Sequence, residues 1–107
     1  MLLFSNILLF FCILALPVYF SFYPPKDINL LYGYRTKRSM KNKNSWNFAN
    51  HYSAKLLLKL SIITVIFQVI LHLLFGVMVS IIVTSFVWII ALFATLFITE
   101  KKLKEKE

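Results

Sequence analysis

The sequence predicts an all-α membrane protein with three transmembrane helices, and three observations carry that prediction. First, residues 60–99, 40 in all, contain no Asp, Glu, Lys or Arg. A single helix of that length would reach roughly 60 Å, about twice the hydrocarbon core of a bilayer, so the stretch must fold back on itself. Gly76 is the natural turning point. Second, an earlier run from Leu2 to Tyr23 is also uncharged and long enough to span. Third, the chain is 60% hydrophobic and only 15% charged, against roughly 45–50% and 25% in soluble domains. A chain of 107 residues has too little interior to hide that much apolar surface, which leaves lipid as its solvent. Residues 1–107 read as one domain.

The first span is expected over residues 2–23. It has no basic segment in front, its apolar stretch exceeds that of a signal peptide, and no small-x-small cleavage site follows, so it reads as a retained helix. Pro17 loosens its interior, because the ring removes one backbone donor. Cys12, the single cysteine, cannot form an intramolecular disulfide and reads as a small apolar filler. Pro24 and Pro25 end the helix. Residues 24–55 form a basic, structured loop with an interfacial helix. From about Lys43 the pattern is helical, with Trp46, Ala49, Asn50 and Ser53 on one face, and neither Pro nor Gly interrupts it before Gly76. Trp46, Phe48 and Tyr52 are expected at headgroup depth. The second and third spans cover residues 55–74 and 77–99, and a basic tail, 100–107, closes the chain.

The formal charge of +8 sits in two places, the 24–59 region and the tail after Glu100. Three spans put both on the same side. The positive-inside rule then places the N-terminus outside and the C-terminus inside a bacterial cytoplasmic membrane. These charges read as topology signals beside anionic lipid, and not as a nucleic-acid surface. Within the spans, Ser61, Thr64, Gln68 and His72 share one face of the second helix, and Ser80, Thr84, Ala91 and Thr95 share one face of the third. Small and amide residues on facing stripes pack a hairpin. Gln68 and His72 would line a polar path if the chain were instead a small oligomeric transporter or channel subunit. Proton- and ion-coupled carriers usually need a carboxylate or Lys deep in the membrane, and these spans have none.

The connecting segment carries the most information. Gly33 lies between two tyrosines, Arg35 follows directly, and Thr36, Ser39 and Asn42 are each suited to cap a helical turn. In order and spacing, Asn29, Gly33-Tyr34-Arg35-Thr36, Ser39, Asn42, Trp46 and Asn50-His51 resemble the signature of the SdpI family of small bacterial membrane proteins. Lys37 departs from the pattern, since many members carry Pro there, and the founding type has additional helices before the signature. The resemblance implies an immunity and signalling role: the founding member protects its cell against a secreted toxic peptide and holds a transcriptional repressor at the membrane. It implies as partners a toxin peptide or a cytosolic regulator.

A physical reading stands beside the resemblance. A guanidinium near the interface needs hydrogen-bonding partners. A knot of Asn29, Arg35 and Asn50, with Trp46 as its apolar lid, is therefore expected to lock the loop against the second helix. No enzyme is expected, because the sequence holds no paired carboxylates, metal-ligand spacing, nucleophile elbow or phosphate loop. Neither cofactor nor metal is expected. Lipids are the default partner, and a homo-oligomer is compatible with the small-residue faces.

Overall fold

The computed structural model describes residues 1–29 and 33–106. The chain forms three helices, α1 (Leu2–Phe22), α2 (Lys43–Phe75) and α3 (Val77–Lys106), and among the described residues there is no strand. All three are long and apolar enough to cross a membrane. Leu30, Leu31, Tyr32 and Glu107 lie outside the described residues, so the tyrosine before Gly33 and the last residue of the tail carry no structural account.

α1 ends one residue before the expected 2–23, and α2 and α3 contain the expected 55–74 and 77–99 and run on beyond them. The helix expected from about Lys43 continues into the second span, as the uninterrupted pattern implies. Together they form α2, which runs unbroken for 33 residues. The physical reason is local. Asn42 opens the helix by accepting from the Ser45 N–H at 2.8 Å, and nothing from Lys43 to Phe75 removes a donor or relaxes the backbone. At 1.5 Å per residue α2 is roughly 50 Å long and overshoots a hydrocarbon core of about 30 Å.

Gly76 links α2 to α3 as a single non-helical residue with φ +92°, a conformation that L side chains rarely adopt. The two helices then run antiparallel, and α1 packs mainly on α2. The core is thin and unusually polar. Ser61, Thr64 and Gln68 of α2 and Ser80, Thr84, Thr95 and Thr99 of α3 are buried, while Ile62, Ile66, Phe86, Phe93 and Phe97 are exposed. That inverts a soluble protein's pattern, as lipid solvation requires. Ser61 and Thr64 turn their hydroxyls back onto the Leu57 and Leu60 carbonyls at 2.6 and 2.7 Å. This satisfies the hydroxyls within α2 and leaves a slim surface for α3.

Candidate functional site

The loop and the two long helices meet at one end of the bundle and build a collar from Gly33 to Asn50. Its centre is the Asn50 side chain, which is buried. Its Oδ1 accepts from the Tyr34 N–H at 2.7 Å. Its Nδ2 donates to the Tyr34 carbonyl at 3.3 Å and to the Trp46 carbonyl at 3.0 Å. One amide thus satisfies both polar groups of a loop residue that has no strand or helix to pair with. The lock closes on the Tyr34 peptide groups, and Arg35 is exposed. The short Asn50 amide reaches the loop backbone because that backbone is laid against its helix. Asn29 donates to the Asp27 carbonyl at 3.0 Å.

Gly33 makes the close approach possible. Its φ is +104°, and a Cβ there would lie 2.6 Å from Pro25 Cγ and 2.7 Å from Asn50 Oδ1. Both facts demand glycine. Trp46 is fully buried and donates from Nε1 to the Pro25 carbonyl at 3.0 Å. It anchors the exit of α1 to the start of α2 and is not a free-standing headgroup aromatic. Phe48 and Tyr52 stack beside it at 5.3 Å, with the Lys106 ammonium 4.3 Å from the Phe48 ring centroid.

Past Gly33 the loop makes a tight turn. The Thr36 N–H donates to Ser39 Oγ at 2.8 Å and the Ser39 N–H to Thr36 Oγ1 at 3.1 Å, a reciprocal pair of the capping-box kind. The buried Ser39 hydroxyl also reaches the Tyr34 and Thr36 carbonyls at 3.1 and 2.9 Å. Lys37 sits inside this turn, so the position does not require a proline.

Two contacts were not foreseen from sequence. The first ties the loop to α3. The Tyr34 hydroxyl lies 3.0 Å from Glu100 Oε1 and 3.1 Å from the Leu96 carbonyl, sharing its one hydrogen between them. Glu100 Oε2 pairs with Arg38 at 3.5 Å. Burial, then the Glu100 acceptor and its negative charge, hold the Tyr34 phenol well above the usual tyrosine range. The signal was present, because Glu100 is the first carboxylate after the apolar run.

The second lies at the opposite end of the bundle and centres on Asn6, the one side-chain amide in α1. Gln68 Nε2 donates to Asn6 Oδ1 at 2.6 Å and to the Asn6 carbonyl at 2.9 Å. Asn6 Nδ2 donates to Ser80 Oγ at 3.3 Å and lies 3.3 Å from His72 Nδ1. Ser80 Oγ also reaches the Gln68 carbonyl at 3.0 Å. Gln68 and His72, expected as a polar face, thus meet Asn6 and Ser80 from the other two helices. An amide among Leu, Ile and Phe was itself the missed signal, since it is costly in lipid without such partners. Asn6 and Gln68 do not join the collar residues.

Comparison with known proteins places this geometry. A stretch of 36 residues is 58% identical to "Uncharacterized protein YfhL" of Bacillus subtilis (strain 168), covering 34% of this chain and 33% of that protein. The match therefore spans about a third of the length of the curated relative. No solved structure matches. The SdpI/YfhL protein family matches over residues 26–100, from the segment before the collar to the glutamate that receives Tyr34, and the chain belongs to that family.

Proposed function

We propose that this chain is a non-enzymatic, multi-pass protein of the bacterial cytoplasmic membrane, with its N-terminus out and its C-terminus in. Its collar docks a cytosolic regulator, and its presence protects the cell against a secreted toxic peptide. Family membership supports the reading, as a resemblance to the founding type. The observation that carries it is the construction of the collar: Asn50, Trp46 and Gly33 fix the loop backbone, while Arg35, Lys37 and Lys41 remain exposed on it. A backbone held this firmly with cations turned outward suits recognition of an acidic partner, because little ordering entropy remains to be lost on binding. The transporter alternative draws less support, since the polar stripe it would use is engaged in bonds between helices.

Challenge of cells with candidate secreted peptides, with and without this protein, tests the reading. Expression is expected to raise survival, and Arg35→Ala is expected to abolish protection at unchanged membrane abundance, because an exposed side chain contributes little to folding. Survival unchanged by the protein against every candidate peptide would refute the immunity role. Full protection by Arg35→Ala would refute docking through the collar.

A further inference from the structure

Beneath the collar lies a partly enclosed cavity of about 220 Å³, lined by Pro17 and Phe20 of α1, Ala54 and Leu57 of α2, and Leu92 and Leu96 of α3, with Gly33 and Tyr34 as its roof. It is smaller than the roughly 300–1,000 Å³ of a site that encloses a whole small molecule, so it suits one part of a longer ligand. Its walls are mostly hydrocarbon, with Asn50, Ser53 and Thr95 as the polar side chains among them. Leu96 also lines a second, more open cleft, bordered by Thr36, Lys37, Arg38, Lys41 and Glu100. Leu96 lines both spaces, and Tyr34, on the wall of the first, bonds through its hydroxyl to Glu100, on the wall of the second.

The charge of the outer cleft follows from its lining. Three cations and one carboxylate give a net charge of +2. Arg38 is paired with Glu100. Lys37 and Lys41 are exposed, and among the described residues neither has a carboxylate partner. An apolar slot at the edge of the membrane-spanning region thus opens next to two lysines and a hydroxyl, Thr36 Oγ1. The ligand that matches is amphipathic, with a phosphate at one end and a hydrocarbon chain at the other.

We propose that this pair of spaces is a binding site for one anionic phospholipid. An acyl chain lies in the slot between Leu57, Leu92 and Leu96, and the headgroup phosphate rests between Lys37 and Lys41. Selectivity comes from the headgroup, because an acyl chain gains little free energy by exchanging lipid neighbours for an apolar wall. The site does not depend on the immunity reading or on which leaflet faces the cytosol. It depends only on the helices spanning a bilayer.

The test uses the full chain in nanodiscs of equal phosphatidylglycerol and phosphatidylcholine with identical acyl chains, followed by native mass spectrometry of the released protein. The wild type is expected to retain one phosphatidylglycerol with about tenfold preference over phosphatidylcholine. Lys37→Gln with Lys41→Gln takes the cleft to zero net charge and should erase the preference, whereas Lys37→Arg with Lys41→Arg should keep it. Leu92, which is 43% exposed, tolerates replacement, and Leu92→Trp should lower retention of lipid of either headgroup by narrowing the slot. Equal retention of the two lipids by the wild type would overturn the proposal, as would a preference that survives loss of both lysines. Displacement of the lipid by glycerol 3-phosphate at equal concentration would also overturn it, because the acyl slot would then contribute nothing.

Discussion

Gly33 concentrates the constraints of the collar at a single residue. Its positive φ and the 2.6 Å and 2.7 Å approaches to Pro25 and Asn50 act together. Gly33→Ala should therefore destabilise the fold by about 3 kcal/mol, from backbone strain and displacement of the Asn50 amide. A denaturant titration in detergent would measure it, and a loss near zero would mean the loop relaxes at no cost. Tyr34 makes a separate prediction. Its folded pKa is raised from an ordinary value of about 10, chiefly by burial and then by Glu100. Raising a pKa on folding means the neutral phenol is stabilised. Its contribution is complete below about pH 10 and is lost as pH rises beyond that value. Thermal melts of the wild type and Tyr34→Phe should run parallel through neutral pH. Above about pH 10 the wild type should fall faster, and equal slopes there would remove Tyr34 from the account. At this scale the sequence pointed to Gly33, Trp46 and Asn50 through residue type. That Asn50 binds the Tyr34 peptide groups was not legible, because sequence spacing does not reveal which backbone a buried amide will meet.

At the scale of the element, the three helices are held by two polar fastenings at opposite ends. Between them the contact surface is made of small residues, Ser61, Thr64, Thr84 and Ala91, which let the backbones approach. Lipid supplies no hydrophobic force between helices, so the fastenings matter more than they would in water. Asn6 joins α1 to both other helices. A double-mutant cycle of Asn6→Leu and Gln68→Leu should give a coupling energy of about 1 kcal/mol, within the range found between membrane helices. Steric-trap or detergent unfolding of the four proteins would measure it, and strict additivity would show the bond to be incidental. Gln68 Oε1 is buried without a hydrogen-bond partner among the described residues, so Gln68→Leu removes one unsatisfied acceptor along with the bonds. This places the single-mutant cost below that of Asn6→Leu.

The whole molecule is an up-down-up bundle of unequal helices, with extents of 47 × 23 × 18 Å. Its polarity is set by charge. α2 begins and α3 ends at the same end of the bundle, where the loop and Lys101–Lys106 also lie. The turn end carries no basic residue but His72. Reporter fusions should therefore place residues 36–42 and the C-terminus on the cytosolic side, and the N-terminus and Gly76 opposite. A reporter at residue 40 active outside the cell would invert the orientation and with it the reading of the collar as a docking surface for a cytosolic partner.

Hydropathy, the uncharged 60–99 stretch and the charge asymmetry were enough to determine a three-helix membrane protein and its turn at Gly76, because the cost of exposing backbone and charge to hydrocarbon leaves few alternatives. Residue types alone also marked the Gly33–Asn50 segment as ordered. Which groups meet was decided only by the tertiary structure. The bond from Tyr34 to Glu100 joins residues 66 positions apart, and that from Asn6 to Ser80 joins residues 74 apart. Such pairings depend on the rotation of each helix about its axis and on the depth at which the helices pack, and a slim interface of small residues fixes both without leaving a periodicity that the sequence alone displays.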